Sequence, residues 1–140
     1  MRFCLQKNVI NLIIASCNAC LQEPKLKFIY LGEGEYFELC KAIVHSYGLE
    51  ERIILPGWDK DVLPWLKVFN VFILYSRWEA MPFSIIEAMH SGLAVIVSDL
   101  PSLSELGRAL ARPAGEVNRW VQPSLTSCGM KRRFPRLCFR

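Results

Sequence analysis

Residues 71–99, VFILYSRWEAMPFSIIEAMHSGLAVIVSD, constrain the fold more than any other stretch of the chain. The segment opens with an unbroken apolar, β-favouring run at 71–75 and closes with another at 93–97, the pattern of short strands buried on both faces. One helix lies between them. Pro82, with its fixed φ and missing N–H, suits a first helical position, and Gly92 suits a left-handed C-terminal cap. Phe83, Ile85, Ile86 and Met89 recur at helical spacing and predict one apolar face. The unit reads as strand, loop, helix, parallel strand. Such crossovers are right-handed, and in open α/β sheets ligands bind beyond the carboxyl ends of the strands. That rule puts Ser76, Arg77, Trp78 and Glu79 at a binding edge.

With Pro82 first in the helix, the capping position falls on Met81, whose thioether is a poor acceptor for the first-turn N–H groups. Phe83, Ser84 and Ile85 then offer backbone donors, with the positive helix end behind them, to an anion near Glu79, a phosphate above all. Water or the Ser84 hydroxyl is the alternative partner. Glu79 and Glu87 flank the helix start. Eight residues at about 1.5 Å each span roughly 12 Å, too far for the acid/base pair of a glycoside hydrolase at about 5–9.5 Å. The spacing suits one ligand longer than a monosaccharide, touched at two points; for either Glu, a solvated helix-end charge is the plain alternative.

Glu79, seven residues, Glu87, then Ala88, Met89, Gly92, a buried strand, Ser98 and Asp99 resemble the EX7E segment of retaining GT-B glycosyltransferases of family 4. The resemblance implies the C-terminal, nucleotide-sugar-binding half of that fold. It also implies a donor-sugar contact at Glu79, the catalytic position, a ribose contact at Glu87, and amide contacts to sugar and diphosphate from Met81, Pro82, Phe83 and Ser84. Ala80 stands where the family commonly has Gly, and demands a negative φ there. Arg2 and Lys7, five apart and just before a helix, resemble the family's diphosphate-binding pair; a guanidinium fork and an ammonium together neutralise a pyrophosphate. Gly57 and Trp58 fall where the family meets the nucleobase.

Composition sets the outer limits. A chain of 140 residues with 52% apolar and 21% charged residues can hold one domain with a core, and no apolar run approaches a membrane span of about 18 residues. The net charge of +4 is uneven: residues 1–106 carry 9 Lys/Arg and 12 Asp/Glu, residues 107–140 carry 8 and 1. A basic tail can meet nucleic acid or anionic lipid, or be aberrant coding sequence. Only Phe134 and Phe139 interrupt its last stretch, too little aromatic interleaving for a nucleic-acid binder. Cys17 and Cys20 form a lone C-x-x-C without the partners of a zinc set, so reduced, buried thiols in a cytosolic protein are expected. Residues 1–20 permit two readings, a lipoprotein signal ending at Cys17 or an amphipathic helix over 8–22. The spacing of Val9, Ile10, Ile13, Ile14, Cys17 and Leu21 favours the helix.

The remaining pattern predicts a strand at 26–31 and a Gly32–Gly34 turn, which resembles the family's Gly-x-Gly turn and whose Glu33 and Glu35 would repel phosphate. A helix follows at 35–47 with Phe37, Leu39, Cys40, Ile43 and Val44 inward and Gly48 as its cap. A strand at 52–55 and a short helix at 59–69 complete the series, Trp58 packing on that helix or stacking on a base. His45 reads as a surface or packed residue rather than a ligand. The whole is an α/β, Rossmann-like parallel sheet with helices on both faces, incomplete at both ends, over 1–106, with a basic, unstructured tail at 107–140. By resemblance it is the donor half of a glycosyltransferase that needs no metal or cofactor. It lacks its N-terminal acceptor domain, is inactive alone, and is cytoplasmic or peripheral at the inner membrane face. The rival reading is a degenerate Rossmann-like fragment with weak or no nucleotide binding.

Overall fold

In this computed structural model residues 1–103 are described; the expected tail at 107–140 lies outside the described residues. The chain opens with a 3-10 turn, Leu5–Lys7, that ends at Asn8. Asn8 has a left-handed φ of 50°, which an Asn tolerates better than other side chains, and its Oδ1 accepts from Asn11 Nδ2 at 2.8 Å. Helix α1, Val9–Gln22, starts there. Its buried stripe is Val9, Leu12, Ile13, Ser16, Cys17 and Cys20, so the expected helix is present but Leu21 is exposed, lying past the turn that Cys20 closes. Cys17 sits in mid-helix, inside the core.

Strand β1, Phe28–Leu31, helix α2, Phe37–Ser46, and strand β2, Ile53–Gly57, form the first crossover; β2 lies parallel to β1 with Phe28 opposite Ile53 and Leu31 opposite Gly57. Gly48, at φ 64°, follows α2 in the left-handed cap conformation, and Leu39 is exposed rather than inward. His45 is exposed and pairs with Glu50. Helix α3, Leu63–Val68, is shorter than expected. It starts where Pro64 can occupy its first turn, and Asp61 Oδ1 accepts the Leu63 N–H at 3.2 Å. Strand β3, Val71–Leu74, helix α4, Phe83–His90, and strand β4, Ala94–Val97, form the second crossover, parallel and in register from Val71 opposite Ala94 to Leu74 opposite Val97. The parallel α/β architecture is as expected; in place of one continuous sheet there are two parallel pairs.

Each pair has its own core. Phe3, Val9, Ile13, Cys17, Cys20, Tyr30, Cys40, Val44 and Ile53 fill the first, and Leu66, Leu74, Ile85, Ala88, Leu93, Val95, Val97 and Leu103 the second. The first eight residues lie against both halves. Residues 1–3 run parallel to the chain just after β1, Phe3 N–H donating to the Glu33 carbonyl at 2.8 Å and the Phe3 carbonyl accepting from Tyr36 at 3.1 Å. Further on, the Gln6 carbonyl accepts the Arg77 N–H at 2.8 Å, and Gln6 Nε2 donates to the Trp78 carbonyl at 3.1 Å. These bonds carry the 3-10 turn to the carboxyl end of β3.

Three thiols, Cys17, Cys20 and Cys40, are fully buried and free. Burial pushes all three up, Cys40 to about 11. The native chain at pH 8 should therefore leave them unmodified by Ellman's reagent while denatured chain reacts at all three, as peptide mapping would show; rapid native modification of Cys40 would contradict the packing. The sign of the linkage is destabilising at high pH. A thiol whose folded pKa lies above its unfolded one favours the folded state below about pH 8.5, and that advantage is lost as the pH rises toward 11.

Candidate functional site

Residues 76–82 leave the carboxyl end of β3 and lead into α4, the edge at which the crossover rule expects a ligand. Ser76 is buried, and its hydroxyl donates to Glu79 Oε1 at 2.7 Å. The same oxygen pairs with Lys7 Nζ, 72 residues earlier in the chain. The side chains of Lys7 and Glu79 are only 18% and 7% exposed, so little water screens the pair. The Glu79 carbonyl is held separately, accepting from Ser102 Oγ at 2.8 Å. Three segments thus fix Glu79: the 3-10 turn and the end of β3 hold its carboxylate, and Ser102, after β4, holds its backbone. Glu79 Oε2 has no donor among the described residues.

The helix start differs from expectation by one position. Pro82 has φ −83° and ψ 98°, which is extended, so it caps α4 and Phe83 is the first helical residue. No side chain caps the helix. The Ile85 N–H, expected to be free, donates to the Pro82 carbonyl at 3.0 Å. The Phe83 and Ser84 N–H groups have no acceptor among the described residues, which keeps two of the three expected donors open to an anion. Phe83 is 68% exposed and leaves the apolar face to Ile85 and Ala88, beside which Ile86 and Met89 are partly buried. Met81 is exposed, and Ala80 keeps the negative φ required of it.

The other expected site residues are arranged more loosely. Glu87 is exposed on the second turn of α4, and no hydrogen bond or ion pair joins it to Glu79 or Lys7 among the described residues. Arg2 is exposed; its backbone bridges to Glu33 and its guanidinium makes no ion pair among the described residues. Gly57 ends β2 with φ 93°, its carbonyl accepting the Gly32 N–H at 2.8 Å, and Trp58 beside it is 67% exposed. At that exposure Trp58 is not buried against the next helix. Trp65 docks that loop instead, its indole N–H reaching Asp59 Oδ2 at 2.8 Å and, with the Asp61 N–H, holding the Asp59 carboxyl below the usual carboxylate range. Gln6 and Ser102, which place the turn and Glu79, carry no motif signal. Ser102 reads from sequence only as a helix cap.

Comparison with known proteins gives this arrangement a context. Residues 2–122 match the family model described as glycosyl transferases group 1. The Vi polysaccharide biosynthesis protein VipC/TviE of Salmonella typhi is 35% identical over 95 residues, 68% of this chain and 16% of that protein. An Escherichia coli UDP-Gal:alpha-D-GlcNAc-diphosphoundecaprenol alpha-1,3-galactosyltransferase is 38% identical over 81 residues, 55% of this chain and 20% of its own. The chain therefore spans about a fifth or less of the length of these two relatives. Among solved structures, the pneumococcal O-GlcNAc transferase GtfA in complex with UDP and GlcNAc superposes with a TM-score of 0.67 at 27% identity, covering 71% of this chain and 20% of that one. With the family model matched over most of its length and its fold shared with GT-B glycosyltransferases, the chain belongs to the group 1 glycosyltransferases.

Proposed function

We propose that this chain forms the nucleotide-sugar-binding part of a glycosyltransferase that transfers a hexose with retained anomeric configuration. The observation that carries the reading is the convergence of Lys7, Ser76 and Glu79 at the carboxyl end of β3, four residues before a helix whose first two N–H groups are uncapped. A sugar diphosphate fits that chemistry. Its phosphates take the Lys7 ammonium, the Arg2 guanidinium and the Phe83 and Ser84 amides, while Glu79 accepts from a sugar hydroxyl through Oε2. Charge develops on the leaving diphosphate in the transition state, so these donors contribute most there. Arg2 and Lys7 do this cationic work without a metal. Glu87 takes the ribose, and Gly57 and exposed Trp58 take the base. UDP in the GtfA complex supports a nucleoside diphosphate as ligand.

Transfer itself requires an acceptor-binding domain, so the 140 residues alone are an inactive half-site. The diphosphoundecaprenol acceptor in the name of the Escherichia coli relative supports work at a membrane surface, and no helix among the described residues is long and apolar enough to cross a membrane. Isothermal titration of the chain with UDP and with GDP tests the reading. Binding of at least one is expected, weakened about tenfold, or ~1.4 kcal/mol, by Glu87→Ala. No heat with either nucleotide would favour an inert fragment.

A further inference from the structure

We propose that Glu79 occupies the anion site of Lys7 in the ligand-free chain, and that an arriving phosphate displaces its carboxylate from the ammonium. The inference rests on the donor-site reading and adds an exchange to it. Lys7 has Glu79 as its single ion-pair partner among the described residues, and its side chain is enclosed, so a phosphate reaching that ammonium must compete with the carboxylate already there. The carboxylate can yield without losing its place. Ser76 donates to the same Oε1 at 2.7 Å, and Ser102 holds the Glu79 backbone at 2.8 Å, so the carboxylate and the backbone each keep a tether independent of Lys7. Lys7, at the end of a short turn, carries its charge on a four-carbon stem with three donors, and can turn from one anion to another without moving the backbone.

Two consequences follow. The apparent affinity for a phosphate ligand is lowered by the fraction of chains in which Lys7 is taken by Glu79. Once a diphosphate takes Lys7, the carboxylate keeps only its Ser76 bond at Oε1, and its charge strengthens the bond that Oε2 accepts from a sugar hydroxyl, which makes Lys7 a positioning residue for Glu79 and couples recognition of the sugar to that of its phosphates. Plain repulsion between the carboxylate and a nearby phosphate would also tighten binding when the Glu79 charge is removed, but that gain would persist without Lys7, whereas the exchange predicts that it vanishes in the Lys7→Met background.

The test uses inorganic pyrophosphate, which carries the anion without sugar or base. The full chain, Glu79→Gln, Lys7→Met and the double variant are titrated calorimetrically. Glu79→Gln is expected to bind pyrophosphate at least threefold more tightly than the parent, Lys7→Met at least tenfold more weakly, and the double variant like Lys7→Met. Glu79→Asp, which withdraws the carboxylate by one methylene, should shift affinity in the same direction as Glu79→Gln and serves if that variant fails to fold. Parent-like or weaker binding by both Glu79 variants overturns the exchange. UDP titrated in parallel separates the two failures: a parent that binds UDP, with no gain in the Glu79 variants, leaves the donor site standing and removes the exchange. Silence of every variant toward both ligands removes both.

Discussion

Replacing Gly34 with alanine is expected to lower stability by about 3 kcal/mol or more, from backbone strain of about 1–3 kcal/mol and lost burial of an aromatic side chain. Gly34 has φ 153°, and a Cβ there would stand 2.5 Å from the Phe3 carbonyl oxygen and 2.7 Å from the Phe3 nitrogen. These are backbone atoms and cannot step aside alone. The residue that must move, Phe3, is fully buried in the first core and packs edge-on against Phe37 at 5.0 Å. Gly48→Ala is the control. Its φ is also positive, at 64°, but nothing lies within 4 Å of the added carbon, so only about 1 kcal/mol is expected. Denaturant unfolding of both variants measures the difference. A Gly34→Ala chain as stable as Gly48→Ala would mean that residues 1–3 do not pack against the turn after β1. The functional consequence is direct, because displacing Phe3 displaces Lys7 four residues on.

Ile85→Ala is expected to cost about 3 kcal/mol, within the range of about 2–5 kcal/mol for emptying an aliphatic core position. Ile85 is fully buried in the second core, and with Ala88 it supplies the buried face of α4. An eight-residue helix is not stable by propensity alone, so its position depends on that face. The same variant should loosen the alignment of the Phe83 and Ser84 amides and weaken nucleotide binding along with stability. Thermal unfolding and UDP titration on one sample check both. Loss of stability below about 1 kcal/mol would place Ile85 outside the core.

The pieces read most securely from sequence are those whose signal is local. The β3–α4–β4 unit and α1 were legible because strand length and helical spacing lie within the elements they define, and Gly92 directly follows α4 and its C-cap. Boundaries moved where a neighbour decides: Pro82 has the φ of a helix start, but its extended ψ makes it the cap, and Pro64 sets the start of α3 at Leu63. The role of Trp65, whose indole N–H reaches Asp59, had no signal in the pattern, because it depends on how the loop before α3 folds back. Least legible was the heart of the site. Lys7, Ser76, Glu79 and Ser102 come from three separate segments, and their meeting depends on where the first eight residues cross the carboxyl end of β3, a long-range fact with no periodicity. The family resemblance named Lys7 and Glu79 as ligand contacts but gave no sign that they pair with each other.

The central claim is that uncapped amides at the start of α4, beside the Lys7–Glu79 pair, receive a nucleoside diphosphate. An amide-resolved NMR titration of the chain with UDP and GDP tests it without altering a residue. The account predicts that the Phe83 and Ser84 amide resonances move furthest, together with those around Lys7, as the binding nucleotide saturates. Saturation that leaves Phe83 and Ser84 unmoved while resonances elsewhere shift would contradict it.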